Sequence, residues 1–214
     1  MADLFQEVDE ELRRDQLTRQ WQKYGKFVIA GLVAVVLATA AVVGWREYSQ
    51  SQMIKYSERF TGALSLIQED KANEAADALA ALAQDASIGY ATLARFREAA
   101  LKAADGDHAA AADIYDAVAK DGGVDSLYAD LAALYYVLHR LEDGDPAELA
   151  ERLEPLLAED GPWRHSAREL SALLALRSGD TEKATAEYTQ LADDQNTPAG
   201  ARARAAEMLR ALKQ

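Results

Sequence analysis

The side chains able to do chemistry are few, and their spacing argues against a catalytic centre. His108, His139 and His165 are scattered, and none stands in H-E-x-x-H, the helical spacing that points two imidazoles at one metal ion. Surface or groove positions suit them, and no metal site is expected. The absence of cysteine removes disulfides, thiolate zinc sites and a Cys nucleophile. Neither a phosphate-cradling G-x4-G-K-[ST] nor a G-x-S-x-G elbow occurs. The adjacent acids Glu142-Asp143, Glu159-Asp160 and Asp193-Asp194 could pass for acid/base pairs. Neighbours on a helix point apart, however, so they read as solvated surface. We therefore expect no enzyme, no catalytic residue and no cofactor.

The elements that must carry these residues are helices. Alanine makes up about a fifth of the 214 residues, against four prolines and four phenylalanines, a mixture that favours helix almost everywhere. The net charge of −13 opposes a nucleic-acid surface, which needs clustered Lys and Arg.

From Phe27 to Trp45 the run FVIAGLVAVVLATAAVVGW holds no charge. At about 1.5 Å per residue it crosses most of a roughly 30 Å hydrocarbon core. Trp21 and Tyr24 precede it and Trp45 and Tyr48 follow, where such rings favour the headgroup level. Ala38-Thr39-Ala40 has the small-x-small form of a signal cleavage site. The long acidic leader and the continuation of the run past Ala40 favour an uncleaved anchor instead. Arg13, Arg14, Arg19, Lys23 and Lys26 before the run outnumber Arg46, Lys55 and Arg59 after it. That balance predicts a cytoplasmic tail (1–26), a transmembrane helix (27–45) and a domain on the far side (46–214). Leu4, Val8 and Leu12 share one helical face, leaving open an amphipathic helix or a solvated tail.

After residue 50 the sequence repeats. Blocks begin at Asp70, Gly106, Gly144 and Gly179, a period in the mid-thirties that marks stacked helical hairpins. Five residues into the blocks stand Ala75, Ala111, Leu149 and Ala184. Nine in stand Leu79, Tyr115, Leu153 and Tyr188, and twelve in stand Leu82, Val118, Leu156 and Leu191. A small residue followed a turn later by a large one is what close helix packing needs. Gly-Asp at three block starts fits a glycine C-cap followed by an aspartate N-cap. Hairpins are expected over 53–83, 87–119, 126–158 and 163–192, with a capping helix over 198–212.

The first helix of three hairpins places an aromatic at Tyr90, Tyr128 and Trp163 and a small residue four later at Ala94, Ala132 and Ala167, resembling the tetratricopeptide (TPR) pattern. The expected fold is all-α: a single N-terminal transmembrane helix, then a TPR-like α-solenoid of about four hairpins plus a cap. With GYATLARF from Gly89, WRHSARELSALLALRSGD from Trp163 and TPAGARARAAEML near the end, the layout resembles the YfgM-type proteins, ancillary subunits of the SecYEG translocon of Gram-negative bacteria. That resemblance implies a single-pass inner-membrane protein with a periplasmic TPR-like domain. It also implies association with the translocon and with periplasmic chaperones, such as a membrane-anchored parvulin-like prolyl isomerase.

In the TPR register Tyr90, Tyr128 and Trp163 pack inside, and Arg97, Tyr135 and Leu170 form a buried column. The concave groove is then lined by Arg95, Glu98, Tyr136, Arg164 and Arg168, with Ser171. Arg and Tyr both anchor interfaces, so this wall is the expected partner-binding surface for chaperones or exported clients. A structural subunit of another envelope complex, such as one of cell division, is the alternative.

Overall fold

The computed structural model describes residues 2–213, with side chains for residues 18, 21–27 and 29–213. The side chains of Leu4, Val8 and Leu12 lie outside the described residues. The chain divides into two compact units, Met1–Ile54 and Lys55–Gln214.

The first unit is helical throughout its described residues and belongs to α1, Ala2–Gln68. Leu32, Val36 and Leu37 are each more than 60% exposed, so no other element covers the apolar surface of this stretch among the described residues. The Thr39 hydroxyl donates to the Val35 carbonyl at 2.8 Å, which satisfies it within the helix and removes its need for water. Among the described residues, the one stretch long and apolar enough to cross a membrane lies within Trp21–Gln68.

The second unit is a row of hairpins. The last turns of α1 pair with α2, Ala72–Asp85. Then come α3, Ile88–Ala104, with α4, His108–Ala119, and α5, Ser126–Arg140, with α6, Pro146–Leu153. The row ends with α7, Arg164–Arg177, α8, Thr181–Asp193, and the terminal α9, Ala199–Ala211. No strand occurs among the described residues. The expected third hairpin ran as helix to residue 158, but α6 stops at Leu153 and Glu154–Leu157 forms a 3-10 turn. Pro155 has no N–H for the i−4 carbonyl, so the α ladder cannot continue through it.

Turn chemistry sets the hairpins. Gly106 (φ +86°) and Gly179 (φ +79°) adopt the left-handed conformation. Asp107 N–H then reaches the Lys102 carbonyl at 2.9 Å, and Asp180 N–H the Ala175 carbonyl at 2.8 Å, the six-to-one bond that closes a helix C-terminus. The same aspartates turn round and cap the next helix, Asp107 accepting from Ala110 N–H and Asp180 from Lys183 N–H. Asp145 does likewise for Ala147 and Glu148. Each cap satisfies donors that would otherwise face water or nothing, worth about 1 kcal/mol.

The core follows the block pattern. Ala75, Ala111, Leu149 and Ala184 are fully buried, and every large residue of the two following columns, from Leu79 and Leu82 through Tyr188 and Leu191, is buried as well. Each such leucine contributes roughly 1.5–3 kcal/mol by leaving water. Second helices are also tied across repeats: Arg152 on α6 donates to Asp116 on α4 at 2.6 Å. Burial raises the Asp116 carboxyl, but hydrogen bonds from Lys120 and Arg152 outweigh it and hold the group below its usual range.

Candidate interaction surface

Exposure on the first helices follows a stripe. On α3 it runs through Gly89, Leu93, Arg97 and Ala100, spaced four, four and three as one helix face requires. On α5 it takes in Leu127, Tyr128 and Leu138, and Leu93, Leu127 and Leu138 are each more than 40% exposed. The first helices approach one another in succession, α3 to α5, α5 to α7 and α7 to α9, so they form one layer. The exposed large apolar side chains lie on α3 and α5, with Arg97 beside Leu93, whereas α7 and α9 expose charge, Arg177 on the first and Arg204, Glu207 and Arg210 on the second.

The residues expected to line the groove are engaged in the fold. Arg95 Nη1 lies 2.8 Å from Asp121 Oδ2, and Arg59 pairs with Asp85 at the same 26-residue offset in the preceding hairpin. Both pairs join a first helix to the far end of the second, so Arg95 is part of a repeated clasp. Hydrogen bonds from Arg95 and the Gly123 N–H hold the Asp121 carboxyl below its usual range. Glu98 is half-buried, and that burial raises its carboxyl against the pull of Lys102 and Arg95. Tyr136 packs against two core clusters, donates its hydroxyl to Glu148 at 2.9 Å and carries the Arg152 guanidinium 4.6 Å above its ring. Arg164 donates to the Glu159 carbonyl and lies 3.7 Å from Asp194. Arg168 pairs with Glu187 on α8 at 3.1 Å.

Three positions differ from the expected register. Arg97 is exposed, not buried beside Tyr135 and Leu170. Phe96, one residue earlier, takes the inward place, its ring 5.4 Å from Tyr115 and 6.2 Å from Tyr135. Ser171 is buried, on the face of α7 that also carries Ala167, Leu170 and Leu174 inward. Tyr128 is 43% exposed, because Val124 in the preceding turn makes the core contact at that end of α5. The rotation of α3 that turns Arg97 outward follows from its alanines. With Ala91, Ala94 and Ala99 buried, helix faces meet at close range, and the neighbouring bulky groups set the rotation.

Of the three histidines, His165 lies on α7 with its Nδ1 3.2 Å from the Thr197 hydroxyl and 3.9 Å from Asp194. His108 and His139, in different hairpins, are brought together with their Nδ1 atoms 3.3 Å apart. Neither helical periodicity nor local spacing signals that meeting, which exists only because α4 packs on α5.

With this row of hairpins in place, the whole-chain comparison is decisive: the family model for a tetratricopeptide repeat-like domain matches residues 19–213. The chain belongs to this tetratricopeptide repeat-like family. No curated protein and no solved structure matches it. TPR-like domains are in general protein-interaction modules without catalysis. The α3 and α5 part of the first-helix layer supplies a feature such a module uses, exposed leucines on rigid elements.

Proposed function

We propose that this chain is a membrane-tethered interaction protein of the YfgM type, ancillary to the Sec translocon and to periplasmic chaperones. In this reading residues 1–26 are a cytoplasmic tail, 27–45 cross the inner membrane and 46–214 form a periplasmic domain. The observation that carries it is the presence, in one helix, of the uncharged run Phe27–Trp45 and of Tyr56, Phe60 and Ala63, which pack into the first hairpin of a TPR-like domain. The family match begins at residue 19, ahead of the apolar run, so a single family model spans both the run and the repeats.

The bound segments would be apolar stretches of exported polypeptides or of their chaperones, since Leu93, Leu127 and Leu138 offer hydrophobic burial. Arg95, Glu98, Tyr136, Arg164 and Arg168 serve this surface by holding the helices that present it. A photo-crosslinking residue at Leu93 or Leu138 in intact cells tests the proposal, with exposed Asp113 on α4 as control. Adducts with exported chains, translocon subunits or periplasmic chaperones from the first two sites are expected. Adducts confined to stable subunits of another envelope complex would favour a structural assembly role, and equal yields from Asp113 would remove the first-helix layer as the docking face.

A further inference from the structure

His108 opens α4 directly after its Asp107 cap, and His139 sits in the last turn of α5. Their Nδ1 atoms are 3.3 Å apart and their ring planes are inclined by 19°. The His139 ring is parallel to that of Tyr115, 1° between planes at 5.6 Å, and lies 6.5 Å from Tyr135. Packing therefore sets its orientation, while His108 is exposed and able to adjust. Both rings border an open cleft of about 420 Å³, together with Leu138, Glu142 and Asp143.

This separation suits a shared hydrogen bond and also two ligands of one metal ion. Imidazole nitrogens bind zinc at about 2.0–2.1 Å, and two corners of a tetrahedron of that radius lie about 3.3 Å apart. At this distance an Nδ1–H on either ring can be shared with the other. Carried instead on Nε2, that hydrogen leaves two lone pairs free for one ion. Asp143 is held by Arg140 at 3.3 Å, whereas Glu142 is exposed and has no ion-pair partner among the described residues. No group of three metal-type ligands is preassembled among the described residues; Glu142 lines the same cleft as the two rings, and its coordination would require a change of its side-chain rotamer.

We infer that His108 and His139, with the Glu142 carboxylate as oxygen donor and water in the open position, form a site for a divalent transition-metal ion such as Zn²⁺. Neutral nitrogen donors select Zn²⁺, Ni²⁺ or Cu²⁺ over Mg²⁺ and Ca²⁺, which require oxygen. Binding staples the start of α4 to the end of α5, so it stabilises the second and third hairpins against each other. The inference rests on the histidine pair and not on the partner-binding proposal, although Leu138 borders both surfaces.

The test uses the full chain in detergent, without a polyhistidine tag and stripped with chelator. It is titrated with Zn²⁺ against a chromogenic chelator and melted with and without the ion. One Zn²⁺ per chain and a raised melting temperature are expected. His108→Ala and His139→Ala should each weaken binding by roughly tenfold or more, Glu142→Gln by less, and His165→Ala not at all. Because His108 is exposed, His108→Ala should melt like the wild type without metal, separating lost binding from lost folding. No saturable Zn²⁺ binding, binding unchanged in His108→Ala, or an equal loss in His165→Ala would each overturn the site.

Discussion

The indole N–H of Trp163 donates to the Leu127 carbonyl at 3.0 Å, across 36 residues. The same step joins Arg177 to the Leu141 carbonyl at 2.8 Å, and a step of 35 joins Arg204 to Glu169 at 2.6 Å. The period visible as similarity in the sequence is thus realised as bonds, each reaching back one repeat.

Trp163→Phe keeps most of the ring and deletes the N–H, so it should lower stability by about 1 kcal/mol. Trp163→Ala also gives up the aromatic packing against the cluster around Leu153 and Leu170 and should cost about 3 kcal/mol or more. Thermal melts followed by circular dichroism on the detergent-solubilised chain measure both, and equal shifts would show that the hydrogen bond contributes nothing.

Ala111 and Ala184 are fully buried where second helices meet their neighbours, whereas Ala109 is exposed. Leucine at either buried site should overpack the contact and cost about 1–3 kcal/mol, against less than about 0.5 kcal/mol for Ala109→Leu. Comparable melting shifts for all three would mean that the helix faces are misassigned.

Asp70 holds φ +59° at the position that glycine fills in Gly106 and Gly179. Asp70→Gly should therefore stabilise by a few tenths to 1 kcal/mol, and Gly179→Ala should destabilise by about 1–2 kcal/mol. Opposite signs in urea denaturation are the expected result, and a loss of stability in both variants would contradict the turn assignment.

The His165 imidazole is pushed below its ordinary value of 6.5, first by burial and then by Arg164, against the opposing pull of Asp194. The folded state thus binds its proton more weakly than the unfolded chain does. This contribution to stability is complete above pH 6.5 and is lost as pH falls from there through the folded-state value. His165→Gln should flatten the melting temperature between pH 7 and 5 relative to wild type. A parallel pH profile in the variant would show that other groups carry the dependence.

The sequence by itself determined the helical class, the repeat period, the turns and the buried columns of the second helices. Those features depend on local rules: helix propensity, glycine at a left-handed turn, aspartate at a cap, and a small residue one turn before a large one. Hence the repeat pattern alone places Ala111 and Tyr115, or Ala184 and Tyr188, on the inward face of their helices. Tertiary structure alone decided how each first helix is rotated, because that rotation depends on which bulky group a neighbouring helix admits. Phe96 enters beside Tyr115 and Tyr135, which turns Arg97 and Leu93 to the surface and draws Arg95 into its clasp with Asp121. It also decided that His108 meets His139, since a contact across 31 residues requires the packed angle between α4 and α5, which no spacing along one helix encodes.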